Sequence, residues 1–445
     1  MRLFPKRSAT AVGLSTGLLL VISAVMLASV MRKGETEFEW VYLRTARHLV
    51  AGVDIYDPGT APFRAFTYPP FMAALGLPLA AMPKTAARLA WYAANVACLV
   101  ILWRGAWTLS GRRGAIGKNE HIIAGLGMAC GLTSALANID HQQTDLLVSA
   151  MLIGGVLALA RGRDLTGAVL FGLAAGMKCT ALLWIPFLLA RGRWKPAIAV
   201  AAVAVAVNLI PDLIARPATG GLWAMTWFGR FLAPMAGAGY YPGRWFAWIL
   251  DNQSIAGAAT RWTTTTWAWS PTSGVEILNR ARVPSARVIQ LVAYGVEAGL
   301  LVAALALVRR SRWRLAGQGA SREGLEGSVV LMMMLLLSPM SSRPHFSTMF
   351  LPGLILARAA LEGGHRSRWA MAWLAASIAA SLAAAPMWGR GEGRLTMWLG
   401  TIMWSAAFLM IGCAGLLVGG KAASTAEDAT AIIRGRHLSR GHAMR

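Results

Sequence analysis

Long runs of apolar residues, separated by short polar segments, dominate the chain. The first run, residues 11–31 ("AVGLSTGLLLVISAVMLASVM"), has the roughly 20 residues that a helix needs to cross about 30 Å of hydrocarbon. Only helices fit such runs, because lipid offers the backbone no hydrogen-bonding partner. The pattern predicts an all-α polytopic membrane protein.

Basic residues concentrate in the short loops between these runs, which predicts that the loops face the cytoplasm. The chain then makes about eleven crossings, with outer loops at 32–84 and 211–287. The runs that define the crossings are 11–31, 85–107, 121–137, 145–160, the region between 164 and 190, a run from 196, 288–308, 329–338, 350–361, 369–387 and 397–419.

The region between "RGRD" and "RGRWK" holds only about 26 residues, too few for two full crossings, although both of its ends are basic. Two half-helices broken around "GLAAGMKCT" satisfy both ends, and one tilted helix is the alternative. Lys178 lies in this segment, where a charge is costly. It either binds a phosphate at the break or extends its ammonium to the membrane surface.

Composition refines this prediction. With 56% hydrophobic and 14% charged residues, the chain is too apolar for a soluble domain. The net charge of +24 lies in loops and the tail, so it reflects membrane orientation rather than nucleic-acid binding. The four cysteines lie in apolar segments and suggest no disulfide framework. We expect one transmembrane domain at 1–420, whose first helix is retained, and a basic, disordered cytoplasmic tail at 421–445.

Carboxylates are scarce, yet five of the 19 fall between residues 33 and 57: Glu35, Glu37, Glu39, Asp54 and Asp57. One of them is a candidate general base, since activating a sugar hydroxyl needs a proton acceptor in reach. The alternative is the solvated acidic face of an interfacial amphipathic helix. Arg44 follows at a spacing that places its guanidinium beside these acids or against a phosphate.

Three further polar segments fall on the predicted outer side. "NIDHQQTD" gathers His141, Gln143 and Asp145, which suits amide and hydroxyl recognition of a sugar better than a metal, because no other ligand lies at motif spacing. "FTYPPF" cannot continue a helix and predicts either a re-entrant piece or a corner between loop and helix. "SPMSSRPHF" presents Arg343 and His345, a phosphate-binding pair or an interfacial pair.

The outer loop that begins at residue 211 interleaves tryptophan and arginine, including Trp223, Trp227, Trp267 and Trp269. Such a mixture can stack on single-stranded nucleic acid. In a membrane protein it is more typical of an interfacial belt of rings and headgroup-binding cations. We therefore expect contact with membrane lipids and no nucleic-acid partner.

Taken in order, these motifs resemble glycosyltransferase family 87, the polyprenol-phosphate-mannose-dependent mannosyltransferases of GT-C architecture. The matching elements are "EFEWVYLRTARHLVAGVDIY", "FTYPPF" with "LPLAAMP", "QTDLL", "GLAAGMKCTALLWIPFLL", "DNQSIAG" and "SPMSSRPHF". The resemblance implies inverting transfer of mannose from a polyprenyl-phosphate donor to a glycan or glycolipid hydroxyl, without a cofactor. It implies a multi-pass protein of the bacterial inner membrane whose active site faces the periplasm.

The resemblance also implies roles for individual residues. Glu37, with Glu39 as the fallback, stands where the family has its catalytic Asp; Lys178 matches the family's Lys, His345 matches the second of two His, and Pro344 replaces the first. Donor phosphate binding is expected of Lys178, Arg343, His345 and Arg44. Sugar or acceptor binding is expected of Tyr42, Tyr68, His141, Gln143, Asp145, Asn252 and Gln253. A lipid-linked sugar transporter or flippase and a catalytically inactive membrane scaffold are the alternatives.

Overall fold

The structure is a computed structural model that describes most of the chain. The described residues are 6–57, 66–111, 119–218, 220–237, 241–242, 249–272, 274–314, 319–362, 366–384 and 389–419. The predicted tail at 421–445 and residues 243–248 of the Trp-rich loop lie outside them.

Ten α-helices form the first half of the described chain: α1 Lys6–Arg32, α2 Arg44–Val50, α3 Phe71–Leu75, α4 Leu77–Ala80, α5 Lys84–Ser110, α6 Glu120–His141, α7 Asp145–Ala160, α8 Asp164–Met177, α9 Trp184–Ala190 and α10 Trp194–Asn208. A π-helical turn at Phe38–Leu43 precedes α2, and 3₁₀ turns occupy Cys179–Leu183 and Pro211–Leu213.

The second half adds nine helices and a hairpin: α11 Trp223–Trp227, α12 Ala233–Ala236, α13 Ile255–Thr264, β1 Thr265–Ser270, β2 Gly274–Asn279, α14 Ala286–Arg314, α15 Gly319–Leu336, α16 Phe350–Leu361, α17 Ser367–Ala383, α18 Gly389–Leu399 and α19 Thr401–Gly419. A π-helical turn spans Phe228–Leu232 and a 3₁₀ turn spans Arg343–Met349.

Within the described residues, six helices are long and apolar enough to cross a membrane. They are Ala9–Arg32, Lys84–Ser110, Glu120–His141, Trp194–Leu213, Ala286–Arg310 and Thr401–Val418. Shorter apolar helices cover Asp145–Ala160, Asp164–Met177 and Cys179–Ala190. The chain is therefore a largely helical membrane protein, and the count of eleven crossings stays a prediction.

The structure differs from the sequence prediction at two places. The outer loop contains a hairpin that was not predicted, in which β1 and β2 pair antiparallel, with Trp267 opposite Ile277 and Trp269 opposite Val275. Aromatic and β-branched side chains favour such pairs. The predicted crossing at 397–419 is also divided. Gly400, at φ +75°, separates α18 from α19, and a left-handed residue cannot continue a right-handed helix.

The predicted break at Lys178 is confirmed. Helix α8 ends at Met177, Lys178 is extended at φ −142° and ψ 112°, and the 3₁₀ turn then leads into α9. The backbone of Lys178 stays satisfied, since its N–H bonds to the carbonyl of Ala174 at 2.8 Å and its carbonyl accepts from Ala181 at 3.1 Å. The cationic side chain of Lys178 thus lies at a helix break, while the backbone N–H and carbonyl of this residue both keep hydrogen-bond partners.

The basic loops on either side of this unit end their helices in the same way. Gly162 and Gly192 have φ of 72° and 74°, and the N–H of the arginine after each bonds back five residues, at 2.9 Å in both cases. This is the Schellman arrangement, in which glycine takes the left-handed position. The two "RGR" segments therefore act as helix stops as well as sites of positive charge.

Ion pairs, some partly exposed and some buried, close the bundle at this basic end. Arg193 contacts Asp164 at 3.1 Å and Glu323 at 3.0 Å, which ties the start of α10 to α8 and α15. The guanidinium of Arg358 on α16 donates to both oxygens of Glu120 on α6, at 3.0 and 2.9 Å. Planar, two-fold pairing of this kind fixes the helices in register.

Arg88, on α5, holds the other end of the bundle. Its guanidinium donates to the carbonyls of Lys33 at 2.7 Å and Gly34 at 3.1 Å, just beyond the end of α1, and to the carboxylate of Glu39 at 2.5 Å. Glu39 also accepts from the N–H and hydroxyl of Thr36, at 2.7 and 2.6 Å. Burial alone raises the pKa of Glu39, but the bonds from Arg88 and Thr36 outweigh it and hold the pKa below its ordinary value.

We predict that Arg88→Met destabilises the protein strongly. The substitution leaves the Glu39 carboxylate buried without its cation, a change that typically costs about 3–5 kcal/mol. The matched control is Lys84→Met on the same helix, whose half-exposed ion pair with Glu35 spans 3.6 Å and should contribute less than about 1 kcal/mol. Unfolding in detergent measures both. Equal losses would contradict a clamping role for Arg88.

Candidate active site

A cavity of about 1180 Å³ opens where α1, α6 and α15 end and α7 begins. Its apolar wall comes from the helices and includes Met26, Leu136, Leu152, Leu331 and Met334. Its polar wall comes from the segments that sequence reasoning singled out. The predicted site residues that line it are Glu37, Tyr68, His141, Gln143, Asp145, Lys178, Arg343 and His345.

On one side of the cavity stands Glu37, in the turn that Arg88 fixes. The amide of Gln143 donates to its Oε2. The Nδ1 atom of His141 lies 3.3 Å from its Oε1. Both carboxylate oxygens therefore have partners from the turn between α6 and α7.

That turn depends on Gln142, which is fully buried and takes the left-handed conformation at φ 59°. Such a conformation is uncommon for a residue with a side chain and persists only where its surroundings enforce it. Here the indole of Trp91 donates to the Gln142 carbonyl at 2.9 Å, and the Gln142 amide donates to the Ile139 carbonyl at 2.7 Å. The turn thereby aims His141 and Gln143, its two neighbours, at Glu37.

Lys178 and Asp145 form a nearly buried ion pair on another side of the cavity. Asp145 begins α7, where the helix dipole also favours a carboxylate. The Lys178 ammonium lies 5.3 Å from the centre of the Tyr68 ring. Burial raises the pKa of Tyr68, so its hydroxyl stays protonated at neutral pH, and it accepts a hydrogen bond from the Tyr42 hydroxyl.

His345 approaches the same carboxylate, with Nε2 at 3.8 Å from Asp145 Oδ1. Its Nδ1 accepts a hydrogen bond from the backbone N–H of Ser342 at 2.8 Å. Nδ1 therefore carries no proton in the neutral ring, and Nε2 carries it. Burial lowers the pKa of His345 to about 4, which leaves the side chain a neutral hydrogen-bond donor.

Arg343 lines the cavity two residues earlier. One of its nitrogens donates to the carbonyl of Ala384 and lies 3.7 Å from the sulfur of Met397. These contacts hold the guanidinium beside α17 and α18 while it faces the cavity. The "RPH" segment thus brings a charged and a neutral donor to one wall.

Five predicted site residues do not line the cavity. Glu39 is bound to Arg88, and Tyr42 is buried behind Tyr68, with 3.0 Å between their hydroxyl oxygens. A guanidinium nitrogen of Arg44 lies 3.4 Å from the carbonyl of Asp57. Asn252 and Gln253 are the other two.

Asn252 and Gln253 instead fasten the outer loop to the segment before Arg343. The carbonyl oxygen of Asn252 accepts from the backbone N–H of Ser341 at 3.2 Å, and its amide donates to the Pro339 carbonyl at 3.1 Å. The backbone N–H of Gln253 donates to the Ser341 carbonyl at 2.6 Å. Their contribution is to the position of Arg343 and His345.

Three charged residues that line the cavity, Asp140, Asp251 and Arg394, were not among the predicted site residues. Asp251 belongs to the motif "DNQSIAG", from which Asn252 and Gln253 were selected instead. Arg394 lies on α18 in "GRGEGR", a segment that matches none of the motifs identified in the sequence. Among the described residues, no three His, Cys, Asp or Glu side chains lie together in a way that could hold a metal ion.

Comparison with known proteins identifies one family. The sequence model of glycosyltransferase family 87 matches residues 66–339, more than half of the chain. The matched region contains Tyr68, His141, Gln143, Asp145 and Lys178, while Glu37, Arg343 and His345 lie just outside it. No curated protein matches the sequence significantly.

The buried His345 predicts a pH dependence of stability. Its pKa of about 4 lies below the ordinary value of about 6.5, so the unfolded chain binds the proton first. The stabilisation is complete above about pH 6.5 and declines as the pH falls toward 4. His345→Gln, which cannot titrate, should remove this part of the decline when unfolding in detergent is followed from pH 8 to 4. Parallel curves for the two proteins would contradict the assignment.

Proposed function

The chain belongs to glycosyltransferase family 87, and on this premise we propose that it transfers mannose from a polyprenyl-phosphate donor to a hydroxyl of a glycan or glycolipid acceptor. The observation that carries the proposal is that one cavity is lined both by a carboxylate, Glu37, and by three hydrogen-bond donors, Lys178, Arg343 and His345. Transfer to a hydroxyl needs a proton acceptor opposite the group that stabilises the leaving phosphate.

Three donors are available to the phosphate, and each is held in advance. Lys178 is oriented by Asp145, Arg343 by the Ala384 carbonyl, and His345 by Ser342. Donors fixed before the reaction stabilise a developing anion without reorganisation, and they act strongly where water is excluded. Arg44 contributes nothing to this group in our proposal, because it does not line the cavity.

The apolar wall supports a lipid-linked donor. Side chains of α1, α6, α7 and α15 line the cavity beside the polar groups, Met26 and Leu331 among them. An isoprenoid chain gains about 0.8 kcal/mol for each buried methylene, so such a wall suits a polyprenyl tail better than a free nucleotide sugar. The phosphate would then lie where the wall meets Lys178 and Arg343.

Glu37 is the carboxylate that activates the acceptor. The acceptor O–H bond breaks, and its proton passes to Glu37 or to the side chain paired with it, His141, as the acceptor oxygen bonds to the anomeric carbon from the face opposite the phosphate. The anomeric C–O bond breaks in the same step, and its electron pair leaves with the phosphate. In-line attack of this kind inverts the anomeric centre. Glu37, rather than the Arg88-bound Glu39, is placed for this role.

We place the cavity on the periplasmic side of a bacterial inner membrane. The basic loops and their ion pairs, such as Arg358 with Glu120, lie at the opposite end, where the positive-inside rule puts the cytoplasm. A flippase needs a polar path through to that end. The described lining of the cavity includes none of the charged residues there, which favours a transferase.

Loss of the phosphate donors should weaken use of the lipid donor. We expect Arg343→Ala and Lys178→Met each to reduce the specificity constant for the donor by about 1.5–3 kcal/mol, the range for hydrogen bonds to charged groups. Lys178→Met also strands the Asp145 carboxylate. The double variant Lys178→Met/Asp145→Asn should therefore recover stability but not donor use. Wild-type donor dependence in all three would refute this phosphate site.

Glu37→Gln should lower sugar transfer by at least about a hundredfold, because it keeps the shape but removes the basic carboxylate, and such groups contribute about 10² to 10⁴ in rate. Glu37→Asp should retain part of the activity. The control is Glu35→Gln, whose carboxylate pairs with Lys84 outside the cavity and should stay within a few-fold of wild type. The assay follows radiolabelled sugar from polyprenyl phosphate at equal expression. Full activity in Glu37→Gln would exclude this mechanism.

A further inference from the structure

The two histidines that line the cavity present opposite chemistry. Nδ1 of His345 accepts from a backbone N–H, so its Nε2 carries a proton. Nδ1 of His141 instead faces the Glu37 carboxylate at 3.3 Å. An ionised carboxylate only accepts hydrogen bonds, so Nδ1 of His141 carries the proton and its Nε2 holds a free lone pair.

That lone pair is accessible. The side chain of His141 is 53% exposed and lines the cavity, and within the described part of the chain no protein group contacts its Nε2. Glu37, by contrast, has one oxygen bound by Gln143 and the other facing His141. Each carboxylate oxygen of Glu37 thus already has one partner, whereas Nε2 of His141 has none among the described residues.

We infer that Nε2 of His141 receives the acceptor's proton and that Glu37 acts through it. The inference rests on the proposed function and assigns a catalytic residue within the same site. The acceptor proton moves to Nε2 as the acceptor oxygen bonds to the anomeric carbon, and the bond to phosphate breaks with its electron pair on the phosphate. Glu37 stays ionised, fixes the tautomer and balances the imidazolium, as carboxylates do in carboxylate–histidine pairs. The exposed imidazolium then releases its proton to water.

The surrounding charges support these roles for His141 as proton acceptor and Glu37 as the carboxylate that balances its charge. Asp140, the preceding residue, pairs with Lys33 at 2.6 Å. The charged groups that face His141 are therefore Glu37 and this pair, whose charges offset each other. Glu37 is thus the carboxylate that remains to stabilise a charged imidazole.

The discriminating variant is His141→Asn. Its amide nitrogen takes the place of Nδ1 and keeps the hydrogen bond to Glu37, while the basic nitrogen is lost. We expect transfer to fall at least about a hundredfold. The control is His48→Asn on α2, where the histidine contacts the Asp54 carbonyl at 3.3 Å and does not line the cavity. That control should stay within a few-fold of wild type.

Two further measurements test the proton transfer itself. The acid limb of kcat/KM for the wild-type enzyme should lie in the histidine range, at about 6.5 or above, rather than near the glutamate value of about 4.3. In His141→Gly, added imidazole should restore transfer, which a merely structural role would not allow.

The outcomes separate the two proposals. Near wild-type transfer in His141→Asn, combined with an inactive Glu37→Gln, would make Glu37 the direct proton acceptor and overturn this inference while the proposed function stands. An acid limb near 4.3 without imidazole rescue would overturn it equally. Absence of sugar transfer by the wild-type enzyme would instead reject the proposed function. Loss in His141→Asn, an acid limb at about 6.5 or above and imidazole rescue would together support the inference.

Discussion

The ion pair between Lys178 and Asp145 is the interaction on which the polar half of the cavity depends. A lone ammonium at membrane depth is costly, so the cation requires a carboxylate, and the carboxylate requires the start of α7 at that point. Burial is the largest cause of the low pKa of His345, and the Lys178 ammonium opposes a second cation beside Asp145, 3.8 Å away. One buried pair thus joins the helix break to the start of α7 and helps to keep His345 neutral.

Different contacts hold the segment that bears Glu37. Arg88 donates hydrogen bonds to Glu39 and to the carbonyl of Lys33, just beyond the end of α1. These bonds fix the turn that bears Glu37. Gln142, in its left-handed backbone conformation, fixes the positions of its two neighbours, His141 and Gln143. Buried ion pairs and strained residues are poor sources of net stability, since desolvation and strain offset much of what they contribute. Their value here is positional, because hydroxyl activation depends on distances that a flexible loop would not maintain.

Local patterns predicted the helical membrane class, the break at Lys178 and most residues of the polar wall. They did so because a charge in an apolar run and polar clusters between such runs are visible in a few consecutive residues. The predicted site residues that do not line the cavity share one feature. Glu39 has its partner 49 residues away, and Asn252 has a partner 89 residues away in Ser341, so neighbouring residues in the sequence do not show whether the side chain holds the fold or faces the cavity. The hairpin and the break at Gly400 likewise depend on backbone conformation, which hydropathy does not report.

The charges of the cavity explain why arrangement matters more than total charge. Its described lining holds four carboxylates, Glu37, Asp140, Asp145 and Asp251, against the cations Lys178, Arg343 and Arg394. Such a balance gives an anionic lipid phosphate little overall attraction. Pairing alters the local picture, because Lys178 offsets Asp145 and Lys33 offsets Asp140. The charged groups that remain are the cations Arg343 and Arg394 and the carboxylates Asp251 and Glu37, and Asp251 acts on Arg343. In the proposed reaction, fixed cations beside the phosphate and a carboxylate beside the acceptor would stabilise charge that moves from acceptor to phosphate.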